Sequence, residues 1–287
     1  MIIYMDHIPL HKIISRYSLD LVSDDRSAWL KYPYYNKVYN KLWLAESQGL
    51  DCGPVGIYPN NYPIIMKPII NLYGMSRGVK IINNDEEYDA NIKDGFFWEE
   101  YLDGIQYCLD IVLKDGDIAF YSCMVSVKGD NGTFKYHYTL SYYDIPQTIK
   151  IWIRAHLTHY TGCVNMEIIN NIIIECHLRL NGDTQPYSID FFLDLDLFLK
   201  GDIQFLEYNV PKTYIFPIFV PKDFNTDNMN ESTIHALCRI FKANSIYFQD
   251  IGSLCQSEYM SRYVVFDIDT FSSGIELQEK IIEYIER

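Results

Sequence analysis

Two acidic residues of a predicted β-hairpin could together hold a metal ion. The segment at residues 161–183, TGCVNMEIINNIIIECHLRLNGD, has two apolar runs separated by an Asn-Asn turn signal. Glu175, His177 and Arg179 fall at every other position, so they share one face of the second strand. A loop of three residues would place Glu167 opposite Glu175 on that face. Adjacent carboxylates repel and are costly to bury, and a divalent cation with a phosphate-bearing ligand would remove that cost. The hairpin therefore predicts a metal–nucleotide site.

Composition argues against some classes of partner. The chain has 287 residues, of which 48% are hydrophobic and 15% aromatic, so it can bury a large core. Its 24 basic and 38 acidic residues give a formal net charge of -14. Such a charge disfavours a general surface for nucleic acid or for an anionic membrane, although a few focused cations can still bind phosphates. We therefore expect no nucleic-acid partner and no membrane partner.

The cysteines predict a reducing compartment. There are seven of them, an odd number, and none has a neighbour at the close spacing of zinc or redox motifs. The N-terminal residues 1–14 are interrupted by Asp6 and His7, which makes a poor signal peptide. No apolar run approaches the roughly 18 to 20 residues of a membrane span. These features predict a cytoplasmic protein.

Periodicity and turn signals predict an α+β chain with largely antiparallel strands. The predicted helices are 35–49, 85–90, 146–160, 186–200, 232–243 and 273–286. Besides the hairpin, the predicted strands are 62–67, 79–82, 96–101, 106–113, 118–127, 133–140, 203–208, 214–220, 245–248 and 263–266.

Four features occur in an order that resembles a known family. Lys41 lies on an early predicted helix, and Lys67 ends a strand before a loop that contains glycines. The segment EEYLDG, residues 99–104, links two strands, and the acidic hairpin comes directly after a helix. This order resembles the ATP-grasp superfamily, which includes D-alanine–D-alanine ligase and biotin carboxylase, over residues 36–200. Each motif alone is weak, and their joint order and spacing carry the resemblance.

The resemblance implies an ATP-grasp-like α+β fold. Two α+β subdomains with mainly antiparallel sheets would clasp a nucleotide, and a C-terminal α/β extension would follow. Family members typically carry a separate substrate-binding domain before the first lysine, where this chain has a short segment. We therefore expect the residues after Lys200 to supply the acceptor site. The implied division is an N-terminal segment at 1–40, a small subdomain at 41–103, a large subdomain with the metal site at 104–200 and the extension at 201–287.

The resemblance also implies how the phosphates of ATP are held. Lys41, with Lys37 as the alternative, and Lys67 would neutralise the phosphates, and Lys135 matches a third phosphate lysine. The glycine-containing loop NLYGMSRG would cover the phosphates with backbone N–H groups, which need glycine for close approach. The implied loop contacts are Gly74, Ser76, Arg77 and Gly78.

The EEYLDG segment resembles the link that binds adenine in the family. Glu99 would accept a hydrogen bond from the adenine amino group, and the backbone of Tyr101 and Leu102 would contact the ring edge. Gln106 stands where the family usually has an acid for the ribose hydroxyls, and its amide oxygen can still accept a hydroxyl hydrogen bond.

In the metal site, Glu167 and Glu175 match the two acids of the family. Arg179 matches the arginine that stabilises the reacting phosphoryl or carboxylate group. His177 stands where the family usually has Asn. Mg²⁺ favours oxygen ligands, whereas imidazole suits Mn²⁺ or Zn²⁺ better. Three interpretations remain: a shifted metal preference, a contact between His177 and substrate, or the loss of one of two metals. The implied cofactors are ATP and either Mg or Mn, with His177 counted among the ligands.

A second acidic set matches the same pattern further along the chain. Asp194, followed by Glu207 and Asn209, also gives an acid and then Glu-x-Asn, with Gly201 in the turn. The residues before it, DFFLDLDLFLK, have the composition of an apolar helix rather than of a strand. The hairpin of Glu167 also follows a predicted helix, as in the family, so that register is favoured.

The resulting hypothesis is an ATP-dependent ligase. A substrate carboxylate would attack the γ-phosphate to form an acylphosphate, and an amine-type nucleophile would then displace phosphate. Lys41, Lys67 and Arg179 would stabilise the transferring charge. The partners would be small-molecule or peptide carboxylates and amines. The alternatives are a nucleotide-binding sensor or scaffold without turnover, and a protein that binds no nucleotide.

Overall fold

The structure of the chain, a computed structural model, describes residues 5–6, 10–74, 76–130, 132–181, 187–226, 229–249 and 260–286. The last two residues of the predicted hairpin segment, the start of the predicted helix at 186–200, and Cys255 lie outside these ranges.

Within the described ranges, the chain forms eight α-helices and thirteen strands. The helices are α1 (Leu10–Tyr17), α2 (Asp25–Lys31), α3 (Lys41–Glu46), α4 (Asp85–Asn91), α5 (Gln147–His156), α6 (Ile189–Lys200), α7 (Glu231–Ile240) and α8 (Phe271–Ile285), with a 3₁₀ helix at Pro33–Tyr39. The strands are β1 (Met5–Asp6), β2 (Cys52–Pro54), β3 (Ile64–Pro68), β4 (Lys80–Ile82), β5 (Phe96–Glu100), β6 (Gln106–Lys114), β7 (Asp117–Lys128), β8 (Phe134–Thr139), β9 (Gly162–Ile169), β10 (Ile172–His177), β11 (Tyr214–Pro221), β12 (Ser245–Phe248) and β13 (Met260–Ile268).

The strands of the described residues build two sheets. The larger has nine strands in the order β1-β12-β13-β11-β8-β7-β6-β9-β10, and the smaller has four in the order β2-β5-β3-β4. All neighbouring pairs are antiparallel except β1 and β12, which run parallel. The prediction of an α+β, mainly antiparallel chain is therefore confirmed.

The two faces of the large sheet differ in chemistry, as β6 shows. Leu109, Ile111 and Leu113 point to one face and join the core cluster under α5 that includes Trp152. Each such buried aliphatic side chain contributes about 2 kcal/mol to stability. Because side chains alternate along a strand, the intervening residues 106, 108 and 110 lie on the opposite face. That second face carries the polar residues described below.

The acidic hairpin has a shorter loop than expected and an extra residue in its second strand. Asn170 and Asn171 form a two-residue turn with φ of 52° and 65°, a left-handed conformation that Asn tolerates better than most residues. The predicted three-residue loop is therefore wrong. Ile174 is the extra residue, because the register steps from Ile173↔Ile168 to Glu175↔Glu167. This bulge restores the predicted pairing of the two glutamates.

Two other predicted elements are wrong. The helix at 35–49 is split at Asn40, where the backbone leaves helical geometry and the side chain accepts a hydrogen bond from Trp43 N at 3.0 Å. Asn is a strong N-cap residue, so a new helix begins there. The segment predicted as a strand at 203–208 is irregular, and Ile203, Leu206 and Tyr208 pack with the side chains of α6.

The residues after 200 extend the large sheet. Strand β11 pairs with β8 through Tyr214↔Tyr138 and Ile215↔His137, and β13 and β12 follow outward. The predicted division of the chain into four segments stays a prediction. None of the helices seen in the described ranges is long and apolar enough to cross a membrane. The six cysteines that the structure describes are all free thiols.

Candidate functional site

Three side chains with metal-ligating atoms meet on the polar face of β6, β9 and β10. Ligand atoms of Glu167, Glu175 and His177 all lie within 4.8 Å of one another. Among the residues that the structure describes, they are the one group of three or more His, Cys, Asp or Glu side chains that meets this condition. Gln106 Nε2 donates to Glu167 Oε2 at 2.8 Å, which orients that carboxylate. Two carboxylates and one imidazole form a donor set that suits a divalent cation.

Lys41 compensates the charge of Glu175. It is the first residue of α3, directly after the Asn40 cap, and only 5% of it is exposed. Its Nζ forms an ion pair with Glu175 Oε1. Burial alone would raise the pKa of Glu175, but Lys41 and His177 outweigh that effect and hold the pKa well below its usual range. Glu175 is therefore ionised at neutral pH.

Lys67 joins the small sheet to the large one. Its Nζ lies 2.7 Å from Glu99 Oε1, on the neighbouring strand β5, and donates to the carbonyl of Ile174 at 3.2 Å. The bulge leaves this carbonyl out of the regular ladder, so it is available to the lysine. Burial raises the pKa of Glu99, and Lys67 offsets part of that shift. Lys67 thus lies where the two sheets approach each other.

Asp25, a buried aspartate that was not predicted as a site residue, contacts both His177 and Arg179. Asp25 Oδ1 lies 3.1 Å from His177 Nδ1, and Asp25 Oδ2 lies 2.8 Å from an Nη atom of Arg179. His177 Nε2 lies 3.3 Å from Glu175 Oε2. The Tyr39 hydroxyl donates to Asp25 Oδ1 at 3.3 Å and accepts from the backbone N–H of residue 178 at 3.0 Å. The helix α2 is thereby fixed to the end of β10.

The charges of this group depend on one another. Burial alone would raise the pKa of Asp25, but Arg179 and His177 lower it well below its usual range. Burial alone would lower the pKa of His177, but its contacts with Asp25 and Glu175 raise it to about 9. Asp25 was not among the residues predicted from the sequence. In the sequence, Asp25 stands out only as part of the Asp24-Asp25 pair, which on its own indicates a helix N-terminus. Asp24 does cap α2 in the structure.

The predicted adenine-binding segment begins at the end of β5 in the small sheet and leads to β6 in the large sheet. Glu99 contacts Lys67, as described above. The backbone N–H of Tyr101 donates to the carbonyl of Pro63 at 3.3 Å. Leu102 packs in an apolar cluster with Ala45 and Phe97 of the small-sheet side. The roles of these residues toward adenine stay predictions.

The glycine-containing loop borders a cavity with a cationic lining. Gly74, Ser76 and Gly78 all have positive φ, at 66°, 48° and 73°, a conformation that glycine adopts at no steric cost. The cavity beside the loop has a volume of about 430 Å³. Its charged lining residues are Arg26, Arg77 and Lys93, and no acidic side chain of the described residues lines it. An anionic group could therefore enter beside this loop.

Several candidate residues lie apart from the acidic cluster. Lys135 is exposed on β8, and Lys37 is exposed with its Nζ 5.0 Å from the centroid of the Trp43 ring. The structure thus brings Lys41 rather than Lys37 to the carboxylates. The second acidic set does not lie on paired strands, since Asp194 is exposed on helix α6 and Glu207 is exposed in an irregular segment.

We expect Glu207→Gln to leave metal-dependent ATP binding within about two-fold of the unsubstituted protein, as is usual for exposed side chains away from a site. Titration of an ATP analogue in the presence of Mn²⁺ checks this. Loss of binding in this variant would transfer the metal site to Asp194, Glu207 and Asn209.

A second polar cluster lies further along the same face and is fully buried. Asp110 accepts hydrogen bonds from Asn165 Nδ2 at 2.8 Å, from the backbone N–H of Asn181 at 2.7 Å and from the Tyr187 hydroxyl at 2.9 Å. Burial raises the pKa of Asp110 to about 6, although these donors lower it. The cluster ties β6 and β9 to the segment that follows β10.

Asp110 gives a testable pH dependence of stability. Its folded pKa, about 6, exceeds the unfolded value near 3.8, so between these values the folded chain binds more protons and stability falls as pH rises. Most of this two-unit difference takes effect between pH 4 and pH 7, where it corresponds to a loss of about 2 kcal/mol. Asp110→Asn should remove this component, measured as the difference in unfolding free energy from the unsubstituted protein at both pH values. The control is Asp117→Asn, because Asp117 is exposed. The assignment would be contradicted if the stability difference between Asp110→Asn and the unsubstituted protein were the same at pH 4 and at pH 7.

Comparison with known proteins gives similarity in structure alone. No protein-family model and no curated protein matches this sequence. The carboxyaminoimidazole ribonucleotide synthase of Aspergillus clavatus, solved with ATP, has a TM-score of 0.63 at 12% identity, covering 88% of this chain and 75% of its own. The N5-carboxyaminoimidazole synthetase of Staphylococcus aureus, solved with ADP, has a TM-score of 0.60 at 14% identity, with coverages of 85% and 70%. The L-amino acid ligase of Bacillus licheniformis has a TM-score of 0.58 at 11% identity, with coverages of 86% and 71%. The chain therefore shares the fold of these structures, which is the ATP-grasp fold.

Proposed function

We propose that this chain, with its ATP-grasp fold, is an ATP-dependent ligase that joins a carboxylate to an amine-type nucleophile. The observation that carries the proposal is the meeting of Lys41 and Lys67 with Glu167 and Glu175 at the place where the two sheets approach each other. Structurally similar proteins solved with ATP or ADP support a nucleotide in the same fold.

The acidic cluster fits a divalent cation by the chemistry of its donors. Glu167, Glu175 and His177 would hold the ion, and their ligand atoms lie within 4.8 Å of one another. When bound, the cation would neutralise charge on the phosphates and polarise the γ-phosphoryl group. Lys41, which contacts Glu175 in this structure, would then turn from the carboxylate to a phosphate oxygen.

The reaction would proceed in two displacements. A carboxylate oxygen of the substrate attacks the γ-phosphorus, the bond to the β,γ-bridging oxygen breaks, and ADP leaves. The amine nitrogen then attacks the acyl carbon of the acylphosphate, the C–O bond to phosphate breaks, and the amine loses a proton to solvent. Lys41, Lys67 and Arg179 would stabilise the negative charge that moves between these groups. No side-chain nucleophile is needed.

The test is to supply ATP, Mg²⁺ or Mn²⁺, and pools of carboxylates and amines, and to measure ADP, phosphate and the mass of the product. The expected result is equimolar ADP and phosphate that require both a carboxylate and an amine. Release of ADP that requires neither compound would contradict a ligase.

A nucleotide-binding protein without turnover is the second candidate. It is favoured by the ion pair between Arg179 and Asp25, because an arginine already neutralised by a buried carboxylate is less able to stabilise a reacting group. Stabilisation by ATP and metal in thermal unfolding, with no ADP released in the presence of any acceptor, would support this candidate. Absence of any thermal shift would remove both candidates.

The proposed partners are small-molecule or peptide carboxylates and amines. Among the structurally similar proteins, one is an L-amino acid ligase and another was solved with ADP and an aminoimidazole ribonucleotide, which supports small-molecule substrates.

The free thiols of the described cysteines agree with a reducing compartment, for which we propose the cytoplasm.

A further inference from the structure

His177 is held by Asp25 in one orientation. Its Nδ1 lies 3.1 Å from Asp25 Oδ1, and both residues are at least nine-tenths buried, at 5% and 4% exposure. Asp25 also contacts the guanidinium of Arg179 and the hydroxyl of Tyr39. All three partners of Asp25 are donors, so the carboxylate acts as an acceptor and Nδ1 of His177 carries a hydrogen toward it.

The other ring nitrogen consequently faces the acidic cluster. His177 Nε2 lies 3.3 Å from Glu175 Oε2 and belongs to the group of ligand atoms that includes Glu167. Histidines that bind metals usually donate their second N–H to a carboxylate, which sets the ring orientation and makes the ligating nitrogen more basic. The pair of Asp25 and His177 has this arrangement, and Asp25 comes from a helix more than a hundred residues earlier in the chain.

We infer that Asp25 is a positioning residue that makes His177 a nitrogen ligand, and that the site selects Mn²⁺ over Mg²⁺ for this reason. The inference rests on the proposed metal site. Mg²⁺ keeps near-octahedral oxygen coordination and gives up water reluctantly, whereas Mn²⁺ accepts an imidazole beside two carboxylates. An oxygen ligand at position 177 would lack this preference.

The competing account is a structural ion pair in which a protonated His177 bridges Asp25 and Glu175. In that account Nε2 carries a hydrogen and donates it to Glu175, and a cation in the site would be bound by the glutamates alone. The two accounts differ in one observable, which is direct coordination of the metal by nitrogen.

The experiment measures metal binding rather than turnover. The protein is titrated with Mn²⁺ alone and with Mn²⁺ plus a non-hydrolysable ATP analogue, and free Mn²⁺ is followed by electron paramagnetic resonance. Competition by Mg²⁺ gives the ratio of the two affinities. Spin-echo modulation of the bound Mn²⁺ reports whether a ¹⁴N nucleus is coordinated.

We expect nitrogen modulation in the unsubstituted protein and none in His177→Asn, together with a Mn²⁺ affinity that is about 10- to 100-fold lower in that variant. Asp25→Asn should also weaken Mn²⁺ binding by about 10-fold or more, with a smaller effect on Mg²⁺. The matched control is Asp24→Asn, because Asn keeps the helix cap and the side chain of Asp24 bonds to Ser27 at the start of α2. Circular dichroism of each variant shows whether it folds, and His177→Asn tests the inference even if Asp25→Asn does not fold.

One outcome would overturn the inference about His177, and a different outcome would overturn the proposed metal site. Mn²⁺ binding without nitrogen modulation, at the same Mn²⁺ to Mg²⁺ ratio in His177→Asn, would overturn this inference and leave the proposed metal site standing. No binding of either cation, with or without the nucleotide analogue, would overturn the proposed metal site itself.

Discussion

Glu175→Gln is expected to abolish metal-dependent binding of ATP and any turnover that depends on it, with a loss of at least about 100-fold. Glutamine has the shape of glutamate, but it removes the charge that attracts the cation, and Glu175 lies between Lys41, His177 and Glu167. The measurement is the dissociation constant of an ATP analogue at saturating Mn²⁺, together with the rate of ADP release.

The substitution also leaves Lys41 buried without its carboxylate, which can cost about 3 to 5 kcal/mol of stability. Thermal unfolding therefore accompanies the binding measurement, and Glu167→Gln provides a second test that does not break this ion pair. Glu100→Gln is the control, since Glu100 is exposed on β5. Metal-dependent binding at full strength in both Glu175→Gln and Glu167→Gln would show that the acidic pair is not the metal site.

Lys67→Met is the second variant with a large expected effect, a weakening of nucleotide binding by about 10- to 100-fold. Methionine preserves the length of the apolar stem but removes the cation that lies between Glu99 and the carbonyl of Ile174. The loss should appear in the dissociation constant of ADP as well as of ATP, because a phosphate contact does not depend on the reaction.

The control must be a lysine with no structural role. Lys114 is unsuitable because its Nζ donates to the carbonyls of Phe198 and Leu199 at the end of α6. Lys222 is exposed and makes the better comparison through Lys222→Met. Equal nucleotide affinity in the Lys67 and Lys222 variants would contradict the assigned role of Lys67.

The part of the site that could be predicted from sequence lies within single elements or their immediate neighbours. Glu167 and Glu175 are eight positions apart in one hairpin, so the turn signal predicts that they lie close together, although a two-residue turn with a bulge at Ile174 pairs them instead of the predicted three-residue loop. Lys67 and Glu99 lie on adjacent strands whose boundaries apolar runs and glycines reveal. Contacts between neighbouring strands can be predicted in this way because all β-strands share the same backbone geometry.

The remainder depends on tertiary contacts that no local pattern encodes. Asp25 reaches His177 across 152 positions of sequence, and an acidic residue in the first turn of a helix is ordinarily explained by the helix dipole. The irregular segment at 203–208 has the apolar and aromatic content predicted for a strand, but Leu206 and Tyr208 pack on the side chains of α6 instead of joining a sheet. Burial by a neighbouring helix overrode the local strand propensity in that segment.

The extra residue at Ile174 bears on how the hairpin tolerates insertions and deletions. A three-residue loop with regular strands and a two-residue loop with one bulge bring the same two carboxylates together. A related chain could therefore lengthen the turn by one residue and lose the bulge without separating the two carboxylates. The carbonyl that the bulge offers to Lys67 would be lost in that exchange, so the link between the two sheets would weaken while the acidic pair survived.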